Sequence, residues 1–149
     1  MNIKNQKVAK ELNKLLADYQ IFYQNLRGLH WNVKGPAFFM LHEKYEELYN
    51  EASEVIDEIA ERILMIGGQP LHTFGEYIAT STLKEVKDVS NGKQGMELVL
   101  ENSRYFLNSF NKVLALAGDN EDEGTVAMLS DWVSSTEKRV WMLEAFLSE

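Results

Sequence analysis

From Val8 onward, apolar residues return every three or four positions, at Leu12, Leu15, Tyr19, Phe22, Leu26 and Leu29, with no breaker before Gly28. That spacing is the period of one helix face, so it predicts a long first helix. Gly35-Pro36 interrupts the chain. A second periodic stretch then runs through Leu41, Tyr45, Leu48, Ala52, Val55, Ile59 and Ile63 until Gly67-Gly68 stops it. Residues 67 to 93 hold Gly-Gly-Gln-Pro, an ambiguous piece Tyr77-Ile78-Ala79-Thr80, and a polar run ending in Ser90-Asn91-Gly92. They predict a long connection with one small helix and room to cross the molecule. A third helix is predicted around Val99, Phe106, Phe110, Val113 and Leu114, ending near Gly118, and a fourth around Val126, Leu129, Val133, Val140, Leu143 and Leu147. Their link, Asp119 to Gly124, is short and acidic. Sustained alternation of apolar and polar residues, the mark of a strand, is almost lacking.

Four long helices joined short, long, short imply two antiparallel hairpins with a crossover between them. The predicted fold is therefore all-α, a ferritin-like four-helix bundle with a long crossover carrying a short helix, rather than a plain up-and-down bundle. A length of 149 residues predicts one domain spanning 1–149. With Lys and Arg numbering 15 against 23 Asp and Glu, the net charge of −8 gathers cations and repels bare phosphate backbones. There is no cysteine, which excludes disulfides, thiolate metal sites and thiol nucleophiles and leaves nitrogen and oxygen as metal donors. No apolar run resembles a signal peptide or reaches membrane-spanning length, so a cytoplasmic protein with no membrane partner is expected.

At a hundred degrees per residue, Leu41, Tyr45, Leu48, Ala52, Ile59 and Ile63 share one side of the second helix, and His42, Glu46, Ser53, Asp57 and Glu61 fall together on its flank. Glu43, Lys44, Glu47, Glu51, Glu54, Glu58 and Arg62 take the far side. The pairs His42/Glu46 and Asp57/Glu61 are four residues apart, close enough for two side chains to reach one metal or two adjacent metals. His42 and Asp57, fifteen residues apart, are separated by about 22 Å along a straight helix and cannot share a metal within one chain. If a second copy of this helix crosses antiparallel at a two-fold axis, His42 of one copy meets Asp57 and Glu61 of the other, and two equivalent sites result. His30 joins because the Gly-Pro hairpin brings the end of the first helix beside the start of the second. Two imidazoles with carboxylates and open positions suit ferrous iron, whose oxidation needs room for an oxidant. The same stripe also fits an ordinary solvated flank, since acid pairs at this spacing are common on exposed helices.

The segment Leu29-His30-Trp31-Asn32-Val33-Lys34-Gly35-Pro36, followed by Phe38 to His42, Asp57-Glu58-Ile59-Ala60-Glu61-Arg62 and Gly67-Gly68, closely resembles the Dps family of miniferritins, and the likeness extends over essentially the whole chain. The resemblance implies an intersubunit ferroxidase centre with His30 and His42 from one subunit and Asp57 and Glu61 from its two-fold mate. It further implies Glu46 as a supporting metal ligand and Trp31 as a redox-active neighbour; an aromatic packed at an interface is the other reading of Trp31. It also implies a hollow dodecamer built from two-fold dimers. Such a shell oxidises ferrous iron with hydrogen peroxide in preference to oxygen, stores the ferric product and protects against oxidative damage. Iron would be the metal, with room for two ions per site and zinc as a substitute.

The acidic residues Asp119, Glu121, Asp122, Glu123 and Asp131 resemble the region lining the family's iron-entry pores, and they equally suit capping of the fourth helix. The alternative function is nucleoid DNA binding with a secondary or silent metal site. Members that coat the nucleoid often carry a mobile Lys-rich tail, whereas this chain offers only Lys4, Lys7 and Lys10, which predicts weak, salt-sensitive binding. No Glu-x-x-His pair accompanies His30, His42 or His72, so a metal centre inside one bundle is not expected. His72, without ligand-like neighbours, reads as structural.

Overall fold

The computed structural model describes residues 2–148, apart from the side chains of Ile3 and Lys4. Helix α1 spans Ile3–Asn32, α2 Phe38–Met65, α3 Phe74–Thr80, α4 Gly92–Asp119 and α5 Glu123–Leu147. Among the described residues the bundle is all-helical, with four long helices and the short α3 inside the crossover.

The predicted faces of α1 and α2 are those that pack. Leu12, Leu15, Tyr19, Phe22, Leu26 and Leu29 of α1 are buried against Leu41, Tyr45, Leu48, Ala52, Ile59 and Ile63 of α2 and the inner faces of α4 and α5. Aromatic rings fill the centre, with Tyr19 4.3 Å and Phe22 5.2 Å from Phe106, and Phe110 5.8 Å from Trp132, between ring centroids. On α5 the buried positions are Thr125, Leu129, Trp132, Thr136 and Leu143, whereas Val126, Val133, Val140 and Leu147 are only partly covered. Thr125 and Thr136 lie on the core side because small side chains let α5 approach its neighbours, a burial that an apolar pattern cannot register.

Direction follows from the hairpin ends. The α1–α2 turn is closed by Gly35, whose φ of +115° lies in the region that side chains disfavour, and by the bond from Phe38 N to Gly35 O (3.1 Å). The end of α2 returns to the start of α1, where Asn5 Nδ2 donates to Ile66 O at 3.3 Å. From there the crossover climbs along α1, held by three polar residues spaced up that helix. Asn13 bonds the backbone of Gln69 and Leu71, Asp18 accepts from Thr82 N and Leu83 N, and Asn25 bonds the backbone of Lys84 and Val86. These side chains satisfy the backbone of the stretches on either side of α3, which have no ladder or helix to do so. At the top, Lys34 N donates to Ser90 O at 2.9 Å, and Asn91 caps α4. Helices α1 and α2 therefore run antiparallel, α4 descends beside them and α5 ascends.

Asp119 and Glu123 belong to α4 and α5 themselves, so the acidic link narrows to a tight turn at 120–122. Glu121 turns it with φ of +59°. Among the described residues, no helix is long and apolar enough to cross a membrane.

Candidate metal centre

His30 lies in the last turn of α1 and His42 in the first turns of α2, and the short hairpin sets their rings face to face, with centroids 3.7 Å apart at 14°. Each imidazole bonds the other's backbone. His30 Nδ1 lies 2.6 Å from His42 O, and His42 Nδ1 lies 2.8 Å from His30 O. A carbonyl can only accept, so both Nδ1 atoms carry hydrogen and donate, and in the neutral rings both Nε2 atoms keep a free lone pair. That is the tautomer of a histidine prepared as a ligand, oriented by a carbonyl on its other nitrogen. His30 is buried and His42 half-buried.

The same face of α2 continues through Glu46, one turn beyond His42, which is exposed to solvent and accepts from the Tyr49 hydroxyl at 3.3 Å. Farther along, Asp57 and Glu61 are both exposed, four residues apart on the same face of α2. The neighbouring Asp57 carboxyl, by hydrogen bonding and by its negative charge, pushes the Glu61 carboxyl up from its ordinary value. Two carboxylates one turn apart repel each other, and a cation between them would relieve that repulsion. Among the described residues, no three His, Cys, Asp or Glu side chains of one chain are placed to hold a metal together. His30 and His42 stand together at the α1–α2 hairpin, with Glu46 one turn farther along α2, and Asp57 and Glu61 lie together much farther down the same helix.

Trp31 projects beside His30 with 57% of its surface exposed, and the Arg27 guanidinium sits 4.9 Å from its ring centroid. Asp119, Glu121 and Glu123 are exposed at the α4–α5 turn, and Asp131 is exposed about two turns farther along α5. Asp122 is different. It caps α5 through Thr125 N and Thr125 Oγ1 and forms a 2.7 Å ion pair with Arg62 of α2. Burial pushes its carboxyl up, but the hydrogen bonds from Thr125 and Arg62 outweigh it and hold the group below its ordinary value. Arg62, expected on the solvated far side of α2, instead locks α2 to the start of α5 with Nε on Thr125 Oγ1 at 2.9 Å. Lys7 and Lys10 are exposed on the first turns of α1; the Lys4 side chain lies outside the described residues. His72 bonds Pro70 O through Nδ1 at 3.0 Å and sits beside Glu76 in the capped start of α3.

Two aromatic partners of the imidazoles went unnoticed in the sequence. Phe38 stacks on His42 at 5.0 Å, and Tyr49 meets His30 edge-on at 5.4 Å. Tyr49 follows His42 by seven residues, two helical turns, so the helix period that grouped His42 with Glu46 also contains it.

A ferritin-like domain model matches residues 9–149. The chain is 41% identical over 145 residues to DNA protection during starvation protein 2 of Bacillus anthracis, covering 97% of this chain and 99% of that protein. Its fold superimposes with a TM-score of 0.96 on a Dps protein from Vibrio cholerae O1, described as a member of a broad superfamily of ferritin-like diiron-carboxylate proteins. That pair is 44% identical, covering 97% of this chain and 91% of the other. The Dps protein of Bacillus brevis matches with a TM-score of 0.96 at 38% identity and 99% coverage of both chains. The helical pattern, the crossover and the full-length likeness agree, and the chain belongs to the Dps family of ferritin-like proteins.

Proposed function

We propose that this protein oxidises ferrous iron with hydrogen peroxide and stores the ferric product inside a dodecameric shell, at centres completed between two-fold related subunits. The observation that carries this reading is the pair of imidazoles whose Nδ1 atoms are committed to carbonyls. Their Nε2 atoms are left for a ligand role, at one end of a helix whose other end presents the Asp57–Glu61 carboxyl pair. A mate crossing antiparallel would bring its Asp57 and Glu61 to His30 and His42, because the distance that forbids the site in one chain is the distance a two-fold axis closes.

Iron enters this scheme as substrate. His30 and His42 would supply neutral nitrogen donors, Asp57 and Glu61 negative oxygen donors, and Glu46 a further carboxylate for a second ion. Each ferrous ion gives one electron, so two ions and two protons reduce one hydrogen peroxide to two waters, and no hydroxyl radical is released. Where only one ion is bound, Trp31, next to His30 in the chain, would yield the missing electron. Oxygen would serve as the slower oxidant, and zinc would occupy the same nitrogen and oxygen donors without redox chemistry. Asp119, Glu121, Glu123 and Asp131 would attract incoming cations, with Asp122 spent on the helix cap and Arg62.

Anaerobic loading with ferrous ions followed by half an equivalent of hydrogen peroxide tests the reading. The expected result is loss of peroxide with a soluble ferric product, abolished in His30→Ala/Asp57→Ala; peroxide that persists, or iron that precipitates, would sink it.

The name DNA protection during starvation protein 2 borne by the Bacillus anthracis relative supports a second reading, nucleoid binding. Exposed Lys7 and Lys10 against a net charge of −8 support only a weak, salt-sensitive contact. Retarded DNA at physiological salt, without iron-dependent peroxide loss, would favour that reading over the first.

A further inference from the structure

We propose that Tyr49 is a positioning residue of the metal centre, its ring bracing His30 and its hydroxyl holding Glu46; this rests on the ferroxidase reading above. A single hydrogen bond at Nδ1 leaves an imidazole free to tilt about the bond axis, so the direction of Nε2 is not set by the carbonyl alone. Packing on the rings removes that freedom. The two imidazoles lie in the middle of a row of rings, Phe38 on His42 at 5.0 Å, His42 on His30 at 3.7 Å, and the edge of Tyr49 against His30 at 5.4 Å. Tyr49 is itself held edge-on by Tyr23 at 6.0 Å, and Arg27 lies 5.4 Å from the Tyr23 ring centroid.

The other end of the same side chain meets a carboxylate. Tyr49 Oη donates to Glu46 Oε1 at 3.3 Å, which leaves Oε2 of that carboxylate available. Glu46 is exposed, and without this bond its several rotatable torsions would spread the carboxylate over solvent. One residue therefore touches a nitrogen donor from α1 and an oxygen donor from α2 and holds the angle between them. Groups that orient ligands in this way matter to metal affinity although they never reach the metal.

The test uses the assembled protein and zinc ions alone, titrated calorimetrically so that oxidation plays no part. Tyr49→Phe keeps the ring and removes the hydroxyl. Zinc binding at the Glu46 step is expected to weaken by about tenfold, at the lower end of the effect of ligand-orienting groups, with assembly and melting temperature unchanged. Tyr49→Ala should weaken binding further, because His30 also loses its brace. In a Glu46→Ala background, Tyr49→Phe should have no further effect, a coupling that a merely structural tyrosine would not produce. If Tyr49→Phe binds zinc as the native protein does, or weakens it equally with and without Glu46, the positioning role is overturned. His30→Ala and Asp57→Ala run beside these variants. Should they also bind zinc like the native protein, the metal centre itself is misassigned and the role of Tyr49 falls with it.

Discussion

Asp122 shows how much one side chain in a turn can carry. Its carboxylate caps α5 and pairs with Arg62, and only 10% of its side chain is exposed. Because its folded value is depressed below the ordinary 3.8, the stability it contributes is present above that value and is lost as pH falls through the depressed one. Asp122→Asn is expected to cost about 2 kcal/mol at neutral pH, the scale of a hydrogen bond to a charged group, and the difference from the native protein should vanish in acid. Urea unfolding at neutral pH and along a descending acid series checks both halves. Gly95 is constrained from the opposite direction, since a Cβ there would collide with the Tyr45 hydroxyl across the α2–α4 contact. Gly95→Ala should therefore destabilise by about 1 to 3 kcal/mol through overpacking, despite the better helix propensity of alanine, and a lowered melting temperature would register it. The capping role of Asp122 was legible in sequence as one reading of the acidic run, but its pairing with Arg62 and the close contact at Gly95 were not. The acidic run at 119–123 suggested a cap or a pore, but its pairing with Arg62 joins residues 60 positions apart.

Among the elements, the crossover depends on α1 more than on any structure of its own. Asp18 is buried, and its carboxylate accepts from Ser81 Oγ, Thr82 N, Leu83 N and Tyr105 Oη. Replacing it with alanine strands these donors, and a loss of about 2 to 4 kcal/mol is expected from several unmet buried hydrogen bonds. The readout is local, because amide exchange should accelerate at residues 82 and 83 while residue 86 stays protected by Asn25. Equal acceleration along the whole crossover would refute the clamp. The long helices were legible from apolar spacing alone, and the small helix was legible as an ambiguous stretch, later resolved by the Thr73–Glu76 capping box. The clamp was not, because Asn13, Asp18 and Asn25 read as ordinary polar positions on a helix until the crossover is laid over them.

For the whole molecule, the decisive question is whether the site belongs to one chain or two. Mixing equal amounts of His30→Ala/His42→Ala and Asp57→Ala/Glu61→Ala subunits through unfolding and reassembly answers it. Random pairing makes half the dimers mixed, and each mixed dimer holds one intact and one doubly broken centre. About one quarter of the native peroxide-dependent iron oxidation should return, although neither variant alone has any. Recovery of nothing would contradict a shared centre, and activity in either variant alone would contradict these ligands.

By itself, the sequence determined the helices, their hairpin pairing, the acidic and thiol-free chemistry, and the stripe holding His42, Glu46, Asp57 and Glu61, because helical period converts spacing into a shared face. It also determined that one helix cannot bring His42 to Asp57, since rise per residue is a constant of the backbone. What the tertiary structure decided was the orientation of the imidazoles, the ring row ending in Tyr49, and the partners of Asp18, Arg62 and Asp122. Those depend on contacts between residues far apart in the chain, whose distances are set only when the helices pack.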